Sequence, residues 1–344
     1  MTDNQERLRR FVLNASRWSG IARLAKPHLS GLGAILMLHS VTATPRKGLG
    51  LNDHLSVTPN FLDRAISDMK RSGFAFVSLD EIVEHLRTGS RAKVATITLD
   101  DAYLDNFTEA LPIFEHHDAP FAIYVAPGLI DGSVQPWWEV VEQLALMRDE
   151  VAMPSPLDDS VCATSSPVEK LAAARHLLGL LATRVSETQR QAVLDEMGGR
   201  EVSTSPFMTW DDIVAVTRHR LGTIGAHTIQ HHNLARLDEE RALIEMRGSA
   251  DVITERTGTR PRHFAYPYGH QQAVGAREIR LAKEAGFVSA VTTRHGTLHP
   301  EHRDHLHALP RISLNGRYQN VGHLRTMLTG ITTFANSRRR VVTL

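Results

Sequence analysis

The chain has a single cysteine, Cys162, in 344 residues. No disulfide can close within it and a thiolate metal cluster is excluded, so any metal must be held by His and carboxylate. Charge imbalance is also lacking: 39 Lys and Arg against 38 Asp and Glu leave a formal charge of +1, so no nucleic-acid partner is expected. No run of about 18 apolar residues occurs, which removes a transmembrane helix from expectation. The N-terminus lacks the apolar run and small-residue cleavage site of a secretory signal, and a cytoplasmic location is expected. Between residues 7 and 28, Arg7, Arg9, Arg10, Arg17, Arg23 and Lys26 interleave with Leu8, Phe11, Leu13, Trp18 and Leu24. That pattern predicts a basic amphipathic helix, either docked on the rest of the molecule or making peripheral membrane contact.

What the sequence does contain is alternation. Short apolar runs rich in Val, Ile and Phe fall at 34–41, 75–79, 94–99, 121–126, 223–227, 263–266 and 289–293. Helical patterns separate them at 61–72, 80–87, 105–117, 210–218, 239–256 and 276–285, which is the mark of βα units around a parallel sheet. Pro59 and Asp238 mark helix starts, and Gly73, Gly258 and Gly286 mark ends. The rhythm breaks between Pro127 and Pro206, where two helix patterns, 168–185 and 187–197, join a loop rich in Pro, Ser and Asp but no clear strand appears. A helical insertion at about 136–206 is expected within a barrel spanning 33–320. Residues 1–32 form the basic helical segment and 321–344 a tail.

One place in this pattern is chemically conspicuous. The run Val94-Ala-Thr-Ile-Thr-Leu99 ends in Asp100-Asp101, two carboxylates at the end of a buried strand. Burying even one costs several kcal/mol unless a cation or donors compensate. Other Asp pairs, Asp158-Asp159 and Asp211-Asp212, have routine explanations in a solvated loop and a helix start. His227 and His231 are spaced so that two imidazoles share one side of a turn, and they too follow a strand, Thr223–Ala226. A second pair with that spacing, His295 and His299, is about what chance supplies among 19 histidines. On parallel barrels, residues at the C-terminal ends of strands gather on one rim. Asp101, His227 and His231 are therefore expected to hold one divalent metal ion, zinc being the first candidate, with a position left open for water. Asp100 remains as the base, and the chemistry implied is hydrolysis of an amide or ester.

These residues resemble the polysaccharide deacetylases of carbohydrate esterase family four. Thr98-Leu-Asp-Asp-Ala-Tyr103 is similar to the family's Thr-Phe-Asp-Asp-Gly-Tyr, His227-Thr-Ile-Gln-His231 to its His-Ser/Thr-x-x-His, and Phe264-Ala-Tyr-Pro-Tyr-Gly269 to its groove-wall motif. The resemblance covers about 33–314 outside the insertion. It implies a distorted seven-stranded (β/α) barrel, a metal-dependent N-deacetylase of amino sugars in a glycan or glycan precursor, Asp100 as base, and the backbone amide of Tyr268 as donor to the developing oxyanion. Two departures matter. Many members carry an Arg where this chain has Ala265; Arg311, in Leu309-Pro-Arg-Ile-Ser313, is its candidate replacement, or else an ordinary surface Arg. The late motif that brings a His as general acid is missing, which leaves His39 and then His295 as candidates, each with a merely structural histidine as the alternative. Trp137 and Trp138 either pack into a core or stack on sugar rings. Two other functions remain open: a hydrolase of the same fold acting on a non-sugar amide, and a non-catalytic sugar-binding protein.

Overall fold

The computed structural model describes residues 21–44 and 48–336. Most of the basic segment expected at 7–28 lies outside these residues; a helix occupies Ile21–Leu29. Seven parallel strands close into a barrel: β1 (Gly33–Leu38), β2 (Val94–Leu99), β3 (Phe121–Val125), β4 (Gly222–Ala226), β5 (His263–Ala265), β6 (Ser289–His295) and β7 (Leu309–Ser313). Each pairs with its successor, and β1 closes the ring against both β7 and β2. Both faces of such strands are covered, so β1 and β2 read as unbroken buried runs.

Alternate residues go to opposite sides. Leu36, Leu38, Ile97 and Leu99 pack outward with Phe61, Leu62 and Ile66 of helix α1 (Pro59–Arg71), in one core. Ile35, Tyr124, Ala265, Val291 and Leu309 belong to a second, inner core. This period of two decides what the rim displays, because Asp100 follows inward Thr98 and Arg311 follows inward Leu309.

The sequence predicts the number of barrel strands but misassigns one. Residues 75–79 supply only Ala75–Phe76, a two-residue strand lying against the base of β2 at Val94 and Ala95. The seventh barrel strand is instead β7, whose Pro310 and Arg311 disguise it. Elsewhere the capping chemistry holds: Thr58 caps α1, Ser78 caps α2 (Leu79–Thr88), Asp238 caps α7 (Glu239–Thr257), and Gly258 ends α7 in the left-handed region at φ 74°. Asp212 completes a capping box with Thr209 at the start of α6 (Trp210–Arg218).

The interrupted region does contain strands. After α3 (Trp137–Met147), an antiparallel hairpin pairs Glu150–Met153 with Ser160–Ala163, the second strand falling inside the stretch 153–167 read as loop. Helices α4 (Pro167–Thr183) and α5 (Arg190–Glu196) follow. Val140, Leu144, Val151, Leu177, Leu181 and Leu194 form a core of their own, separate from the two of the barrel. Residues 321–336, read as part of a tail, are helical at Val321–Met327 and Ile331–Asn336, with Leu324 and Met327 in the outer core.

Candidate active site

A cavity of about 370 Å³ opens at the C-terminal ends of the strands. Asp100, Asp101, His227, His231, Tyr268, His39 and Trp137 all line it, joined by Asn52, His54 and His270, which sequence reasoning did not single out. His54 sits in a short 3₁₀ helix, Asp53–Leu55, without a motif, whereas His270 directly follows the Tyr-Pro-Tyr-Gly motif and that adjacency was a usable signal.

The two adjacent carboxylates have opposite bonding. Both oxygens of Asp100 accept hydrogen bonds from Arg311, Nη1 to Oδ1 and Nη2 to Oδ2, each at 2.7 Å. Arg311 crosses the barrel interior from β7 at 1% exposure and also donates from Nε to the Thr292 carbonyl and from Nη1 to Thr98 Oγ1. Its guanidinium thus reaches the Asp that the Arg expected at position 265 would meet; Ala265 itself packs in the inner core. Burial pushes the Asp100 carboxyl up, but the Arg311 charge and hydrogen bonds outweigh it and hold the group below the usual carboxylate range.

Asp101 is equally buried, at 1% exposure, yet no hydrogen-bond donor reaches its Oδ1. What faces that oxygen is His231 Nε2 at 3.3 Å and His227 Nε2 at 3.5 Å. The other ring nitrogen of His227, Nδ1, lies 2.7 Å from the Ala265 carbonyl and can only donate there, so in the neutral ring, the form that ligates a metal, Nε2 presents a lone pair. A carboxylate oxygen and an imidazole lone pair converging in a buried place repel one another unless a cation lies between them. The donor set therefore fits one divalent ion with an N,N,O ligand triad.

A second group of metal-type donors, Asp63, His116 and His117, lies elsewhere, but there His117 Nε2 already meets Asp63 Oδ1 directly at 2.8 Å.

The backbone bearing these groups is held in an uncommon shape. Asp101 (φ 72°), Ala102 (57°), Thr228 (61°), His231 (54°) and Tyr268 (64°) are all left-handed. For non-glycine residues this costs about 1–3 kcal/mol each and persists only where the surroundings overdetermine it. Tyr268 is fixed from β6, where Thr293 Oγ1 donates to its carbonyl at 2.7 Å and Thr293 N to that of Gly269 at 3.0 Å. The turn between the two histidines is fixed from α7, where Glu245 Oε2 accepts from Ile229 N at 2.8 Å and Gln230 N at 3.0 Å.

His39 follows β1 directly, with Nε2 4.0 Å from Asp100 Oδ2 and its side chain 20% exposed. His295, the second candidate for an acid, is absent from this cavity and meets Thr332 Oγ1 at 2.7 Å. His54 is driven down to about 4, chiefly by burial. Trp137 and Trp138 stand edge to face at the cavity wall, half-buried rather than enclosed in a core. Trp137 Nε1 donates to Tyr268 Oη at 2.9 Å, and the Trp138 ring lies 5.1 Å from that of His231. The insertion also grips the Asp motif: Tyr103 donates its hydroxyl proton to Glu139 of α3.

Residues 191–290 match the polysaccharide deacetylase family model, a stretch that contains His227, His231 and Tyr268 but not Asp100, Asp101 or Arg311. No curated protein matches the chain. Among solved structures, the fold is similar to the deacetylase PplD of Streptococcus pyogenes, determined in complex with acetate (18% identity, 86% of this chain and 97% of that one, TM-score 0.55). It is also similar to IcaB from Ammonifex degensii (15% identity, 87% and 97%, TM-score 0.57) and to a de-N-acetylase from Aggregatibacter actinomycetemcomitans (15% identity, 86% and 99%, TM-score 0.54). The barrel is thus common to these solved structures, and the stretch 191–290, which carries two of the motifs, is similar to the polysaccharide deacetylase family model.

Proposed function

We propose that this protein is a metal-dependent hydrolase that removes N-acetyl groups from an amino sugar in a glycan or glycan precursor, with zinc as the metal. The observation that carries the reading is the unlike bonding of the adjacent carboxylates: Asp100 saturated by Arg311, Asp101 left with a bare oxygen before two imidazoles. Asp101, His227 and His231 would hold the metal. A divalent ion there supplies Lewis-acid polarisation of an acyl carbonyl and acidifies water.

The remaining steps belong to side chains of this chain. Arg311 keeps Asp100 ionised in a buried place, so its carboxylate stands ready to take a proton from the attacking water. The Tyr268 backbone N–H is assigned to the oxyanion, presented by a loop that Thr293 holds rigid. His39, open to the cavity and 4.0 Å from Asp100, is assigned to return a proton to the departing amine. Trp137 and Trp138 supply an aromatic wall for a sugar ring. The neighbours whose names describe them as deacetylases or a de-N-acetylase support acetyl removal as the reaction class.

The test is metal analysis of the purified chain beside acetate release from N-acetylglucosamine oligomers and from nucleotide- or lipid-linked N-acetyl amino sugars. Wild type is expected to carry one equivalent of metal and release acetate. Asp101→Ala should lose the metal, and Asp100→Asn should keep it while turnover falls by about 10²–10⁴-fold, the usual contribution of a general base. Full metal content in Asp101→Ala, or wild-type turnover in Asp100→Asn, would sink the assignment.

A further inference from the structure

The geometry points to Glu187 and Arg190, both in the insertion, as positioning residues: Glu187 sets the loop that carries His231, and Arg190 sets the ring of Tyr268. This rests on the function proposed above, and it adds a task for a region that supplies none of the three metal-type ligands.

Glu187 is fully buried and Arg190 nearly so, and they pair through both oxygens of the carboxylate. A bidentate ion pair three residues apart is ordinary on a helix surface, but this one is buried and each partner reaches out of the insertion. Glu187 Oε2 accepts from the Asn233 backbone N–H at 2.8 Å, two residues after His231. Arg236, from the same loop, reaches Glu187 Oε1 at 3.2 Å. The loop is thus held at two points by carboxylates from different parts of the molecule, Glu245 before His231 and Glu187 after it. Between them His231 sits at φ 54°, a conformation it would not keep unaided.

Arg190 works on the other loop. Its Nη1 lies 3.4 Å from Tyr268 Oη, and its guanidinium covers the Trp137 ring at 5.0 Å. Trp137 Nε1 donates to the same hydroxyl at 2.9 Å. Two donors from the insertion therefore converge on the Tyr268 oxygen, fixing the side chain of the residue whose backbone amide is assigned to the oxyanion. The loop of His231 and the loop of Tyr268 meet at one ion pair, and neither Glu187 nor Arg190 needs to touch substrate to do this.

The test uses the full chain, Co²⁺ as the probe ion, and variants that keep the shape of the pair. Glu187→Gln keeps the shape and one acceptor; Arg190→Lys keeps a cation beside Glu187 but loses the planar fork that also reaches Tyr268. Glu187→Gln is expected to weaken Co²⁺ binding by about 10–100-fold, as loss of groups that orient ligands does, and to shift the visible d–d spectrum. Arg190→Lys should keep the wild-type Co²⁺ spectrum yet lower kcat at least tenfold, with KM for the N-acetylated substrate changed less than threefold. Tyr268→Phe changes no residue of the insertion and keeps the Tyr268 backbone amide, so it removes only the hydroxyl on which the two donors converge. It should lower kcat similarly, and adding Arg190→Lys to it should cost nothing more.

Wild-type Co²⁺ affinity and spectrum in a folded Glu187→Gln overturn the first half; wild-type kcat in Arg190→Lys, or additive losses with Tyr268→Phe, overturn the second. Failure of the functional reading looks different: wild type would bind Co²⁺, and Glu187→Gln would bind it less well, with no acetate released by either.

Discussion

The barrel rim presents Asp100, Asp101 and Arg311 from strands hydrogen-bonded on both sides, whereas the insertion presents Trp137 and Arg190 from helices packed around a separate core, and Glu187 from the turn between α4 and α5. On the rim, position follows from the period of two and the pairing of neighbouring strands, so an error of one residue would turn a side chain to the opposite face. On the insertion, position depends on a few polar links that cross to the barrel: Glu139 with Tyr103, Trp137 with Tyr268, and Glu187 with Asn233. The comparison teaches that one cavity has a wall built into the main fold and a wall attached to it. They should differ in how they fail.

Arg311→Met should break the first wall most severely. It leaves a buried Asp100 without its cation, and removal of one partner from a buried pair costs about 3–5 kcal/mol, to be read from urea unfolding at neutral pH. The sign with pH follows from the lowered carboxyl of the wild type: the pair's contribution is fully present above the ordinary carboxylate range, near pH 4, and is lost as pH falls through the lower folded-state value. In the variant, protonation of Asp100 relieves the cost instead, so the gap to wild type should narrow on acidification. A loss below about 1 kcal/mol at neutral pH would show that Arg311 is not what compensates Asp100.

Leu181→Ala, in the insertion's own core, should cost about 2–5 kcal/mol by cavity formation, but locally. Amide hydrogen exchange is expected to accelerate through residues 137–202 while β2 and β3 stay protected. Equal loss of protection in those strands would mean that the two walls unfold as one. The smallest effect is expected from Ser166→Ala, which removes the capping box at the start of α4. It should lower stability by about 1 kcal/mol and, if the walls are separable, leave metal content unchanged.

Much of the fold was legible because buried parallel strands write themselves as apolar runs and helices as capped periodic segments. The failures share a cause. β7 was overlooked because Pro310 and Arg311 argue against a buried strand, yet Arg311 is buried only because Asp100 waits across the barrel. Residues 75–79 looked like a strand and became an accessory to β2, since a local pattern does not say which neighbours are free to pair. The hairpin at 150–163 was hidden by a turn rich in Pro, Ser and Asp.

By itself the sequence determined the barrel class and the placing of Asp100-Asp101 and of the His pair that faces Asp101 at the ends of strands, because strand ends and motif spacing are local properties. Only the tertiary structure decided that Arg311 meets Asp100 from β7, that His295 lies away from the cavity while His54 and His270 line it, and that Glu187 and Arg190 join the insertion to two loops of the rim. Such contacts link residues from 46 to more than 200 positions apart. No local pattern records which side chain arrives at a buried charge; that is settled when the strands close and the charge must be compensated.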